Sequence, residues 1–396
     1  MLLIRNSVLL ETTVAWSGAL LISWLAGEYL EKLGIARLAT YGVIGFGLGV
    51  LGPTEYATPT ASHFMLADVA FGLILCELGF RFSPGWLRSN AWVLVMLVCE
   101  SLGTFVAIFL ICFSFWEMEI PRSVMIASVC MATSPVAILR VTRNHQSSGG
   151  ITNMILNITT LNCILSTVLF KIGTGLMIQK QETFEWIYPG FVVAIVAASF
   201  GAAFVGSMAI HLLLRPLQMP SEVRAFALAL TVILLTCGLI RIGLSPLVGT
   251  ITFGISLRYF GEKMTGIHQD FGSLGRFLTI YLVVFLASQL KADAAMEWMA
   301  FGVVLGITRA AIKILSAWWL SEKLGMTRQQ GLLAGVALLP TSTFAICVME
   351  QSRLLGVDPE SGIAPLAFML LVFEVLGPMG TRTALILSRE AAKEVL

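Results

Sequence analysis

Apolar runs of about 17 to 25 residues, the length that an α-helix needs to cross about 30 Å of hydrocarbon, follow one another from end to end of this chain. Only short polar stretches separate them, so no soluble domain is left over. Of the 396 residues 57% are hydrophobic and 12% charged, where soluble domains carry roughly 25% charged. A lipid bilayer, not water, is the solvent this composition suits. The expected fold is all-α, a polytopic membrane protein forming one transmembrane unit over 1–396. The first run lacks a small-residue cleavage site and reads as a retained span. A formal charge of +2 gives no reason to expect a nucleic-acid partner.

Breaking the chain at polar or Gly/Pro-marked turns predicts thirteen spans, near 7–26, 38–52, 64–80, 90–114, 122–139, 152–172, 188–214, 223–240, 244–260, 273–290, 297–320, 328–350 and 363–382. Roughly two thirds of the 25 Lys and Arg then fall on one side, among them Lys32, Arg37, Arg81, Arg88, Arg140, Arg143, Arg215 and Arg224. Lys171 and Lys180 are assigned to the other side. Basic loops stay cytoplasmic, which puts the N-terminus outside, the C-terminus in the cytoplasm and the chain in the inner or plasma membrane. All seven cysteines lie in apolar runs, which suits small apolar packing better than disulfides or a metal cluster. The four histidines show no ligand-like spacing. No Gly-rich phosphate loop and no nucleophile–base pattern appears, so the chain does not read as an enzyme. No cofactor is expected, nor any metal beyond a transported ion.

Two interruptions stand out. MATSPVAI (131–138) and LLPTSTFAI (338–346) each place a proline and small hydroxylated residues inside an apolar run, seven spans apart. An odd offset makes corresponding helices run in opposite directions, so 1–172 and 223–382 read as inverted repeats with 188–214 connecting them. Pro135 and Pro340 each remove a backbone donor, and Thr133, Ser134, Thr341, Ser342 and Thr343 can satisfy the carbonyls set free. Two discontinuous helices crossing at the midplane are expected. The alternative is a pair of ordinary proline kinks. The glycine run GFGLGVLGP (45–53) reads as close helix packing.

Ionisable side chains near a helix centre cost roughly 2.5–3.5 kcal/mol on insertion scales and need a partner or a purpose. Glu100, Arg309, Lys313 and Glu374 occupy such positions, while Glu77 and Asp68 lie nearer span ends. Arg309 and Lys313 share a helix face. Glu100 pairing with either one would form an ion or proton site at the depth of the crossing, or else a structural salt bridge. For Glu374 the plain expectation is a hydrogen bond to a neighbouring helix.

With these features the chain resembles the monovalent cation/proton antiporter superfamily, of the sodium/proton exchanger type. The resemblance is carried by 21–53, 73–90, 131–170 and the stretches 277–293 and 335–346. In such exchangers a Thr-Asp-Pro motif on the crossing helix is followed one helix later by an Asn-Asp or Asp-Asp pair. Thr133-Ser134-Pro135 and Asn162-Cys163 fall in that register, with Ser134 and Cys163 standing where the family has its acids. The resemblance implies the antiporter fold, a homodimer, and exchange of a monovalent cation for protons. In this reading Glu100 is the displaced carboxylate that titrates and carries the proton, Asn162, Thr133 and the carbonyls near Ser134 and Thr341 coordinate the ion, and Lys313 competes for Glu100. Glu374 is the other candidate counter-charge for Arg309 and Lys313. Two alternatives keep the fold: carriage of an anionic or neutral solute, or a sensor or effector subunit working with a regulatory partner protein.

Overall fold

The structure, a computed structural model, describes residues 2–32, 35, 37–51, 61–181, 187–217, 220–261, 272–289, 296–341, 344, 345, 348 and 360–391. Among the described residues there is no strand. The helices are α1 (Leu2–Glu31), α2 (Arg37–Leu51), α3 (Ala61–Arg81), the short α4 (Pro84–Ser89), α5 (Trp92–Phe115), α6 (Ile120–Met131), α7 (Pro135–Asn144) and α8 (Gly150–Gln181). They continue with α9 (Ile187–Leu214), α10 (Ser221–Arg241), α11 (Pro246–Tyr259), α12 (Gly272–Ser288), α13 (Met299–Leu320), α14 (Arg328–Ala337) and α15 (Glu360–Leu387). Eight described segments are long and apolar enough to cross a membrane, Ile120–Asn144 counting as one, and Arg37–Val50 and Phe277–Ser288 are shorter apolar helices.

Local chemistry sets many of the boundaries. Proline opens α4, α6, α7 and α11 at the first or second position, where its missing N–H costs nothing. Thr327 and Gln330 form a reciprocal capping box at the start of α14. At α8 the cap comes from the far end of the chain. The Glu390 carboxylate accepts from Ile151 N at 2.8 Å, Thr152 N at 2.6 Å and the Thr152 hydroxyl at 2.7 Å. The first turn of a helix has unpaired donors and partial positive charge, so a carboxylate suits it. Gly149 precedes this cap with φ +152°, and a side chain there would strike Glu390.

The helices pack as two groups. One consists of α1, α2, α3, α9, α10, α11 and α12; the other of α5, α6, α7, α8, α13, α14 and α15. They meet chiefly along α2 with α15 and α8 with α9. Since lipid is as apolar as the helices, close backbone approach matters more here than in water. Gly79 of α3 lies against the Ile251 backbone of α11, and Gly254 of α11 against the Cys76 carbonyl of α3. Gly45 and Gly49 of α2 bear on the backbone of Val284 and Ser288 in α12, the close packing expected of that glycine run. In the second group Gly331 and Gly335 let α14 lie against Ala317 and Ile314 of α13.

Several boundaries differ from the sequence reading. Helix α8 runs on to Gln181 and not to the expected end at 172, so Lys180 lies within a helix and not in a connecting loop. The connection after α3 holds the short helix α4, because Pro84 can start a helix that the polar SPGWLRSN stretch otherwise conceals. The six described cysteines are free thiols and carry no disulfide; Cys347 lies outside the described residues. Among the described residues no cluster of His, Cys, Asp and Glu is arranged to hold a metal ion.

Candidate ion site at the crossing of two broken helices

The run from α6 to α7 is broken at Ala132–Ser134. Ala132 and Ser134 are extended, and Pro135 begins α7 with the Ser134 hydroxyl accepting from Ala137 N. Helix α14 ends at Ala337, before Pro340. The two breaks touch. Ser134 N donates to the Pro340 carbonyl at 2.7 Å, the Thr133 hydroxyl to the Leu338 carbonyl at 3.1 Å, and the Thr341 hydroxyl to the Ala132 carbonyl at 3.2 Å. Crossed discontinuous helices, and not simple kinks, are therefore what the two proline motifs form. Ser342 and Thr343 lie outside the described residues.

Both α6 and α14 end at this point, so their unpaired carbonyls and partial negative charge converge there. Arg309 of α13 is set between them. Its Nε donates to the Cys130 carbonyl at 2.7 Å, Nη1 to Leu339 at 2.5 Å, and Nη2 to Ala132 at 2.8 Å, with Leu338 and Pro340 at 3.4 Å. Its guanidinium also lies over the Phe373 ring, 5.0 Å from the centroid. Fully buried, it is spent on backbone carbonyls and takes no part in pairing Glu100.

One turn along α13, Lys313 forms that pair. Its Nζ lies 2.5 Å from Glu100 Oε2, with neither side chain exposed, and it donates to Thr133 Oγ1 at 3.2 Å. The other Glu100 oxygen accepts from Asn162 Nδ2 at 2.6 Å and lies 2.9 Å from the Ser101 hydroxyl, which also contacts Asn162 Oδ1. A π turn at Val98–Leu102 brings Glu100 and Ser101 to the same side of α5. Such turns widen a helix by one residue and cluster at functional positions. Sequence reasoning named Glu100 but missed Ser101, since neighbours on a regular helix diverge and no residue pattern marks the π turn. Cys163 is fully buried on α8, with its thiol 3.7 Å from the Thr133 carbonyl.

Glu374 is not part of this network. It lies 7% exposed on α15 beside Gly42 of α2, and the counter-charge to Lys313 comes from Glu100 instead. The hydrogen bond expected of Glu374 is also absent among the described residues. Glu77 closes α3 in ion pairs with Arg81 at 3.1 Å and Arg143 at 3.6 Å. A separate cleft of about 420 Å³ is lined by Trp116, Glu117, Met118, Glu119, Arg122, Met177 and Trp298, none of which belongs to the crossing.

Two broken helices meeting within a membrane bundle, with a buried carboxylate and ammonium at the junction, are the architecture of a secondary transporter. Residues 18–386 match the transmembrane sodium/hydrogen exchanger family, and the chain belongs to that family. The fold is similar to that of the sodium proton antiporter MjNhaP1 from Methanocaldococcus jannaschii at pH 8, with TM-score 0.67, 14% identity and 96% of each chain covered. It is likewise similar to a structure of that antiporter from an electron-microscopy map, with TM-score 0.69, 15% identity and 96% and 95% of the two chains covered. No curated protein matches the chain by sequence.

Proposed function

We propose that the protein exchanges a monovalent cation for a proton across the inner or plasma membrane, with Glu100 as the carboxylate for which the cation and Lys313 compete. The observation that carries this reading is the Lys313 ammonium, 2.5 Å from Glu100 and hydrogen-bonded to Thr133 at the meeting point of the breaks. An ammonium and an alkali cation ask the same of their surroundings, namely oxygen acceptors and a negative charge. A cation entering the site would take Glu100, Asn162 Oδ1, Thr133 Oγ1 and carbonyls near Ser134 and Thr341. Lys313 would then leave as the neutral amine, and its proton would pass to the open side. Reversal on the opposite side completes one cation exchanged for one proton, without net charge movement. Ser134 serves the backbone, and Cys163 is a neutral neighbour where the family places an acid.

The inverted repeats 1–172 and 223–382, the connecting helix 188–214 and a cytoplasmic C-terminus fit this reading, as does a homodimer. The α5–α8 and α13–α15 group would move against the other. Carriage of an anion is disfavoured by Arg309, each of whose guanidinium nitrogens donates to a backbone carbonyl. The network is satisfied without a ligand, which also suits a sensor or effector subunit acting with a partner protein.

Proteoliposomes containing a pH-sensitive dye separate these readings. An imposed Na⁺ or K⁺ gradient is expected to move protons through the wild-type protein, and Glu100→Gln to abolish the flux. Flux that persists unchanged in Glu100→Gln would remove Glu100 from the mechanism; no flux in the wild type, with a captured partner, would favour the sensor.

A further inference from the structure

Among the described residues, Glu374 is the one buried carboxylate of the crossing-helix group that the exchange site leaves unused. It is 7% exposed and makes no hydrogen bond or ion pair with any described residue. Its methylene lies against Gly42, where any side chain on α2 would displace it. Gly42, Gly45 and Gly49 recur at helical spacing, so they form one face of α2 that meets α12 through Gly45 and Gly49 and α15 through Gly42. Pro378, four residues on, has no N–H for the Glu374 carbonyl.

Helix α15 packs on α2, α6, α7, α13 and α14. The charged groups of those helices are engaged elsewhere: Arg37 with Glu28 and Glu31, Arg143 with Glu77, Arg309 with backbone carbonyls, Lys313 with Glu100 and Arg328 with Glu322. Neither these nor Tyr41, Arg122, Cys130, Arg140 or Arg382 pairs with Glu374. An ionised carboxylate accepts hydrogen bonds only, and among the described residues it would have neither donor nor counter-charge; the neutral acid carries its own proton and needs neither.

We propose that Glu374 is a second proton-binding carboxyl, seated in the glycine seam between α2 and α15, and that α15 passes α2 with that proton bound. The proton site stands on the seam's own geometry, and the passage rests on the exchange reading above. Glu100 and Lys313 then set what is exchanged, while Glu374 sets whether the two helix groups can slide.

Two measurements on the full-length protein in lipid test the site without transport. Dicyclohexylcarbodiimide couples to protonated carboxyls in apolar surroundings, and peptide mass spectrometry should find it on Glu374 and not on Glu100. Infrared spectra at neutral pH should show a carboxylic-acid C=O band that Glu374→Gln lacks. An unmodified Glu374, an identical band in the variant, or a band removed by added Na⁺ or K⁺ would each overturn the proton site. For the passage, the rate of cation-driven proton flux is followed against pH. Glu374→Gln, locked neutral, should lose the alkaline fall-off of the wild type; a superimposable profile, or no flux from a variant that melts like the wild type, would overturn it. If the wild type exchanges nothing, the exchange reading fails while the labelling and infrared results still decide the proton site.

Discussion

Neighbouring residues on a regular helix point about 100° apart, yet Glu100 and Ser101 are both fully buried and both reach Asn162. The π turn resolves the conflict, and with it the carboxylate gains donors on one oxygen and an ammonium on the other. Removing one partner of such a pair leaves an uncompensated buried charge, which costs about 3–5 kcal/mol. Lys313→Met should therefore lower the melting temperature of the detergent-solubilised protein substantially. The double variant Glu100→Gln/Lys313→Met should recover most of that loss, and equal melting of single and double variants would show that the two groups are not coupled. Arg309 does a different job, since its planar fork serves carbonyls from both broken helices. Lysine cannot reproduce that geometry, so Arg309→Lys should cost about 2–4 kcal/mol by leaving buried carbonyls unpaired; melting within error of the wild type would count against it. The residue types of the site were legible in sequence because charges are rare in apolar runs. Which basic residue pairs with Glu100 was not, because Arg309 and Lys313 lie one turn apart on the same face.

At the scale of elements, proline and glycine account for most of what the chain does. Pro135 and Pro340 marked the breaks in advance, and the seven-span separation predicts opposite orientations for them. Sequence did not show that Gly377 of α15 lies against Pro340, since a packing glycine looks the same whichever helix it meets. The cap on α8 was also hidden, because Glu390 and Thr152 are 238 residues apart. That carboxylate holds three donors at the start of the helix that carries Asn162 and Cys163. Glu390→Ala should destabilise the protein by about 1–2 kcal/mol, as loss of a helix cap does, and should raise amide hydrogen exchange in the first turn of α8. Unchanged exchange there would mean that the helix start is held by other contacts.

For the whole molecule, composition and run length give a polytopic helical membrane protein with little room for another class. Helix ends were less legible: α8 continues past the expected end at 172 to Gln181 and carries Lys180 inside a helix. The orientation that the basic residues predict is directly testable. A single cysteine at Arg389, in a background lacking the native cysteines, should react with an impermeant maleimide only from the cytoplasmic face; reaction from outside would invert the topology. Beneath all of this lies the claim that a cation and the Lys313 ammonium compete for Glu100 where the two broken helices cross. Proton release on addition of Na⁺ or K⁺ to the purified protein in weak buffer tests it most directly. The wild type should release protons in step with ion binding, and Glu100→Gln and Lys313→Met should release none; equal release from all three would contradict the account.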